Sequence, residues 1–141
     1  MTFVLDASIA LAWCFADQTT PVSESALDRL EHEDALVPGL WALEIANVLV
    51  GAERRGRLNP AQTARFLELL AQLPISVQEI EREAVLTTVL DLARATGMTA
   101  YHASYLALAA ASGVPLATAD ADLRRAATAV GVELVTPSED P

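Results

Sequence analysis

The sequence has 141 residues, of which 52% are hydrophobic and 5% aromatic, a composition that suits one domain with a largely aliphatic core. The net charge is −10, and all nine basic residues are arginine. This charge argues against a broad basic surface for nucleic acid, and the absence of lysine excludes a P-loop nucleotide site.

Short apolar runs alternate with helical patterns along the whole chain. In chain order, the predicted elements are a strand at 2–6, helices at 7–16 and 21–33, a strand at 35–39, helices at 40–55 and 60–73, a strand at 75–78, helices at 80–96 and 100–112, a strand at 114–118, a helix at 120–130 and a strand at 132–135. Strands joined by helices predict an α/β fold with a mainly parallel sheet of about four or five strands and helices on both faces. We expect one domain over 1–137 and a short polar tail over 138–141.

Several features of the sequence bear on the cellular compartment of the protein. The apolar N-terminal stretch lacks a basic start and is interrupted by Asp6, which argues against a signal peptide. The single cysteine, Cys14, cannot form an internal disulfide. Because no transmembrane pattern is present either, we expect a cytoplasmic protein with no membrane partner.

Acidic side chains fall where a parallel sheet would collect them. Asp6 ends the first predicted strand, and Asp120 and Asp122 follow the strand at 114–118. Ligands of open α/β sheets bind outside the carboxyl ends of the strands. Glu44 interrupts an apolar helix stripe, where an ionised carboxylate is costly to bury unless a cation accompanies it. Since no lysine is available, the convergence of acids favours a Mg²⁺ or Mn²⁺ site at this edge.

Each of these side chains also has a purely structural interpretation. Asp6, Asp120 or Asp122 would serve as the N-cap of the helix that follows it. Glu44 would pair with an arginine or reach solvent at a helix edge. His102, which shares an apolar helix face with its neighbours, would be a satisfied core residue.

Three segments together resemble the PIN-domain nucleases, and in particular the VapC toxins of toxin–antitoxin pairs. They are "FVLDASIALAW" near the N-terminus, "ALEIANVL" around Glu44, and "YHASYLALAAASGVPLATAD" in the C-terminal third. The resemblance implies a PIN-like fold and a metal-dependent endoribonuclease that cleaves structured RNA such as tRNA or ribosomal RNA. It also implies a homodimer and a VapB-like antitoxin that blocks the site, in a heterotetramer or a larger complex.

The resemblance assigns roles to individual residues. It implies that Asp6, Glu44 and Asp120 bind the metal ion and act in catalysis. It further implies that Ser8 supports the first of these acids and that Thr118 lines the site.

The pattern departs from the family at His102, where an aspartate is usual. His102 would replace the carboxylate as a nitrogen ligand, or act as a general base, since imidazole ordinarily titrates near neutral pH. The third interpretation is a weakened site, in a PIN module whose main role is to bind an antitoxin or RNA. Asp122 would then supply a carboxylate that His102 does not. A nuclease of RNA maturation, with no toxic role, is a further alternative.

Two arginine clusters are candidates for binding RNA phosphates. Arg54, Arg55 and Arg57 lie at the end of the Glu44 helix, and Arg124 and Arg125 lie nearer the proposed site. Bidentate contacts from guanidinium groups suit phosphate oxygens. Favourable interaction with a helix C-terminal dipole explains the first cluster equally well.

Overall fold

Four parallel strands form the central sheet of the computed structural model, which describes residues 1–137. They are β1 (Thr2–Leu5), β2 (Asp34–Val37), β3 (Ile75–Val77) and β4 (Leu116–Ala117). Their order across the sheet is β3-β2-β1-β4, and every neighbouring pair is parallel. The predicted α/β fold is therefore confirmed. The tail predicted at 138–141 lies outside the described residues.

Helices connect all of these strands. They are α1 (Ala7–Ala12), α2 (Pro21–Arg29), α3 (Leu40–Arg54), α4 (Pro60–Gln72), α5 (Arg82–Ala84), α6 (Leu90–Thr96), α7 (Ala100–Ser112) and α8 (Ala121–Val130). A π-helical segment, Val85–Val89, joins α5 to α6. Because crossovers between parallel strands are right-handed, the helices that lead from β1 to β3 lie on one face and those that return to β4 lie on the other. Among the helices of residues 1–137, none is both long and apolar enough to cross a bilayer.

The first helix is shorter than predicted. It ends at Ala12, and a short 3₁₀ helix, Ala16–Gln18, follows after a break. The break lies at Phe15, whose backbone is extended and whose side chain is buried in the core. Burial of this ring outweighs the helical pattern of the segment.

The last predicted strand is reduced to a single bridge between Leu116 and Leu134. The Leu116 N–H donates to the Glu133 carbonyl at 2.9 Å, and the Val135 N–H donates to the Leu116 carbonyl at 2.9 Å. β4 is only two residues long, and Leu116 is the residue on its outer edge that pairs with the last segment. The pairing is therefore limited to one bridge.

The sheet order places a crevice between β1 and β4. From β1 the chain continues to β2 on one side of β1, whereas β4 is added on the other side. The topological switch point therefore lies between β1 and β4. The core beneath this point is tightly closed, with Phe3, Leu106 and Leu116 all fully buried. Asp6 directly follows β1, and Thr118 directly follows β4. The carboxyl ends of these two strands are therefore the expected place for a ligand.

Candidate functional site

Asp6 is held rigidly at the carboxyl end of β1, where only 3% of the residue is exposed. Its Oδ2 accepts hydrogen bonds from Ser8 Oγ at 2.6 Å and from Thr118 Oγ1 at 2.7 Å. Each hydroxyl accepts a backbone N–H in turn, Ser8 from Ala119 and Thr118 from Asp120, both at 3.1 Å. Asp6 occupies the N-cap position of α1, but its side chain makes no capping hydrogen bond, so its carboxylate is not engaged as a helix cap. These two bonds engage Oδ2 alone, and Oδ1 takes part in neither.

Glu44, in the early part of α3, has a tyrosine as its partner. The hydroxyl of Tyr105 donates to Glu44 Oε1 at 2.7 Å. Tyr105 belongs to α7 and is fully buried, whereas Glu44 is partly exposed. The contact therefore joins α3 to α7.

Nearby charges act on the Glu44 carboxyl. Burial raises the pKa of Glu44, and the hydrogen bond from Tyr105 partly opposes this effect. The negative charge of Asp6 raises the pKa of Glu44 further, whereas a protonated His102 lowers it. Asp6, Glu44 and His102 thus share one electrostatic neighbourhood. Because the negative charges of Asp6 and Glu44 repel each other, a cation bound by both would stabilise both.

His102 separates two cavities. On one side is a cleft of about 500 Å³, here called the Glu44 cleft, whose walls include Glu44, Asn47, Tyr101 and His102. On the other side is a cavity of about 740 Å³ beside α8, lined in part by His102. The residue is partly exposed. His102 is therefore accessible from both cavities, and its interpretation as a closed core residue is wrong.

Asp120 and Asp122 make different contacts. Asp120 is the N-cap of α8, since its Oδ2 accepts from the Leu123 N–H at 2.8 Å. The backbone N–H of Asp120 donates to Thr118 Oγ1, and this hydroxyl donates in turn to Asp6. Asp122 is exposed, pairs with Arg125 and lines the cavity beside α8. Asp120 is thus linked through Thr118 to Asp6, whereas Asp122 lines the cavity beside α8.

The donor set that the structure brings together is a pair of carboxylates. Asp6 Oδ1 and Glu44 Oε2 take no part in the hydrogen bonds described above. Over residues 1–137, no group of three or more His, Cys, Asp and Glu side chains is arranged to hold a metal ion. A Mg²⁺ ion commonly binds through one or two carboxylates while it keeps several waters and contacts substrate phosphates. Asp6 and Glu44 fit a hydrated ion of this kind.

The arginines at the end of α3 lie away from this pair. Arg54 follows Glu44 by about ten residues, or roughly 15 Å along the helix axis. Arg54 and Arg55 are exposed, and Arg57 pairs with Asp17 at 3.3 Å. The structure does not bring this cluster to the candidate site.

The two arginines of the second cluster, Arg124 and Arg125, make different contacts. Arg124 Nη1 donates to the Thr118 carbonyl at 3.2 Å, which places its guanidinium group beside the loop that holds Asp6. Arg125 is already paired with Asp122. Arg124 is therefore the arginine best placed to meet a phosphate near Asp6.

Three side chains at the site were not assigned from the sequence. Tyr105 follows His102 by three positions, and Asn47 follows Glu44 by three, so each pair shares one helix face. Tyr101 is 68% exposed and lines the Glu44 cleft. The helical spacing was the available signal for Tyr105 and Asn47, whereas nothing in the sequence distinguished Tyr101.

The Glu44→Gln variant is expected to be more stable than the wild type when no metal is bound. Since the pKa of Glu44 is raised in the folded protein, the contribution of Glu44 to stability is greatest at low pH and is lost as pH rises through that raised value. Glutamine removes this loss, and we expect a gain of about 1 kcal/mol at neutral pH. Thermal unfolding in EDTA, between about pH 4 and about pH 8, measures the difference.

The exposed acid Glu68 of α4 provides a matched control for this measurement. Glu68→Gln is expected to unfold at the wild-type temperature throughout the same pH series. A Glu44→Gln variant that is less stable than wild type at neutral pH would contradict the electrostatic account of Glu44.

An apolar groove between α3 and α4 is a separate feature. It encloses about 500 Å³ and is lined by Trp41, Leu67 and Val77 among others. Its carboxylate, Glu53, accepts a hydrogen bond from Thr63 at 2.7 Å. The groove therefore offers apolar surface and lacks the paired carboxylates found at the switch point.

Comparisons with known proteins agree over nearly the whole chain. A family model described as "PIN domain" matches residues 3–129. Ribonuclease VapC3 of Pyrobaculum aerophilum is 32% identical over 123 residues, which cover 87% of this chain and 92% of that protein. The crystal structure of PAE2754 from Pyrobaculum aerophilum has a TM-score of 0.69 and 26% identity, and it covers 89% of this chain and 84% of its own.

Proposed function

The chain belongs to the PIN domain family and, within it, to the VapC group; on this premise we propose that it is a divalent-metal-dependent endoribonuclease. The observation that carries the proposal is the pair of carboxylates, Asp6 and Glu44, at the switch point of the sheet. Their charges act on each other, and the chain contains no lysine to neutralise them. A bound cation removes this repulsion and turns an acidic cleft into a place where a phosphodiester can dock.

Asp6 and Glu44 would hold the metal ion through the oxygens that their structural hydrogen bonds leave free. When bound, Mg²⁺ or Mn²⁺ supplies the charge that activates water and polarises the scissile phosphodiester. Ser8 and Thr118 keep Asp6 in place, so this carboxylate needs no reorganisation when the ion arrives. Asp120 stays a proposed third ligand, connected to Asp6 through Thr118.

His102 is proposed to take the place of a further acid at the wall of the Glu44 cleft. Its imidazole can provide a nitrogen ligand, or it can accept a proton from the attacking water. The Coulombic interaction between His102 and Glu44, which line the same cleft, supports a position close to the reacting groups in either role. Arg124, beside the Thr118 carbonyl, is the proposed contact for an RNA phosphate.

The proposed substrate is structured RNA, of the tRNA or ribosomal RNA class, and the proposed biological role is that of a toxin. The relative's name, Ribonuclease VapC3, supports the reaction type. Membership of the VapC group supports a VapB-like antitoxin as partner. We further propose a homodimer, which forms a heterotetramer or a larger complex with the antitoxin, and action in the cytoplasm.

We expect the purified chain to cleave RNA in the presence of Mn²⁺ or Mg²⁺ and to lose this activity when EDTA is added. Metal binding should also stabilise the fold, by about 2.7 kcal/mol when the free ion is at about 100 times its Kd. Gel analysis of RNA products and thermal unfolding with and without Mn²⁺ measure the two effects.

Cleavage that continues undiminished in EDTA would contradict a metal-dependent reaction. Mn²⁺ binding without any cleavage would instead favour the PIN module whose role is to bind an antitoxin or RNA. The two measurements therefore separate the enzyme from the binding protein.

A further inference from the structure

We propose that Tyr105 is a positioning residue of this site, whose hydroxyl holds the Glu44 carboxylate in the orientation that a cation shared with Asp6 requires. The inference rests on the proposed function, because it assigns Tyr105 a task at the same metal site. Tyr105 is not itself proposed to touch the metal or the RNA.

The geometry of the hydroxyl supports this role. Tyr105 is fully buried, and its hydroxyl donates to Glu44 Oε1 at 2.7 Å. A phenol ordinarily carries its proton at neutral pH, so the hydroxyl is a donor to Glu44. With Oε1 occupied in this way, Oε2 is the oxygen of Glu44 that stays available to a cation.

A purely packing role does not account for the hydroxyl. A phenylalanine would fill nearly the same volume, and a buried hydroxyl costs free energy unless it finds partners. Its principal partner is the acid of the candidate metal site, which lies 61 positions away on α3. Tyr105 thus connects α7 directly to the helix that carries one of the paired carboxylates.

The spacing on α7 adds to the argument. Tyr105 and His102 are three positions apart and share one face of that helix. Thr99 caps the helix by accepting the His102 N–H at 3.2 Å, which fixes the start of α7. A single rigid element therefore places His102 at the cleft and the phenol beneath Glu44.

The test is Mn²⁺ binding by isothermal titration calorimetry to Tyr105→Phe. We expect the Kd to rise by about 10- to 100-fold, the usual cost of losing an outer hydrogen bond to a metal ligand. Ser104→Ala is the matched control, because it deletes a buried hydroxyl on the same helix that donates to the Tyr101 carbonyl at 2.6 Å. This control should bind Mn²⁺ as the wild type does.

A double-mutant cycle with Glu44→Gln shows whether Tyr105 acts through Glu44. If it does, adding Tyr105→Phe to Glu44→Gln weakens Mn²⁺ binding no further. Equal losses in both backgrounds would reveal a general structural role and overturn the inference. If Tyr105→Phe does not fold, 3-fluorotyrosine at position 105 replaces it, since this change keeps the ring and alters the donor strength of the hydroxyl. An unchanged Kd would then overturn the inference.

The failure of the inference is distinguishable from the failure of the proposed function. If the wild type binds Mn²⁺, Asp6→Asn abolishes binding and Tyr105→Phe binds normally, the inference alone is overturned. A wild type that does not bind Mn²⁺ overturns both.

Discussion

Replacement of Asp6 by asparagine is expected to lower RNA cleavage by about 10³-fold or more, the scale seen when a central catalytic group is removed. Asparagine keeps the shape of the side chain and an oxygen that can accept from Ser8 and Thr118. It removes the negative charge that would hold a cation beside Glu44. The loss is therefore expected in activity and in Mn²⁺ affinity, with little change in the folded structure.

The measurement compares single-turnover cleavage of the same RNA by wild type and Asp6→Asn, with circular dichroism to confirm folding. Asp91→Asn is a suitable control, because Asp91 is an exposed acid that pairs with Arg94 on the surface of α6. It loses the same charge and should cleave RNA normally. Cleavage that persists in Asp6→Asn would refute the candidate site.

Replacement of His102 by aspartate is expected to raise Mg²⁺ affinity by about 10-fold, in the manner of an added carboxylate ligand. His102 lies in the electrostatic neighbourhood of Glu44, so the new carboxylate would join two existing ones. Without metal, the added repulsion should lower the melting temperature. Calorimetric Mg²⁺ binding and Mg²⁺-supported RNA cleavage measure the outcome.

His32→Asp provides the matched control, since His32 is an exposed histidine in the segment after α2. It should leave metal binding and cleavage unchanged. If His102→Asp binds metal more tightly but cleaves RNA more slowly with both Mg²⁺ and Mn²⁺, His102 is a proton-transfer group. Unchanged metal affinity would contradict a position next to the ion.

Local patterns predicted the helix that carries His102 at its full length. The expected helix at 100–112 is α7, because Thr99 provides a cap and Gly113 ends the helix with a positive φ of 66°. Apolar runs likewise predicted the four strands, whereas the metal site inferred from the acids at their ends stays a prediction. The helices and strands depend on neighbours in sequence, which is why the sequence alone was sufficient for them.

Contacts between distant segments could not be predicted in this way. The hydrogen bond between Tyr105 and Glu44 joins two helices, and the apolar pattern around Glu44 suggested an arginine or solvent as its partner. Asp120 and Asp122 were equally good candidates for the cap of α8, and only the structure shows that Asp120 fills this position. The local sequence around a carboxylate at a helix start is the same whether the side chain caps the helix or binds a ligand. Which of the two roles it has depends on the residues that the fold places opposite it.

The two hydroxyls that converge on Asp6 Oδ2 have a consequence for ion selectivity. With that oxygen engaged, Asp6 can offer a metal one point of attachment. Calcium favours six to eight oxygens and often grips a carboxylate by both, whereas magnesium accepts single attachments in a strict octahedron. At the proposed metal site, Ser8 and Thr118 would therefore favour Mg²⁺ over Ca²⁺.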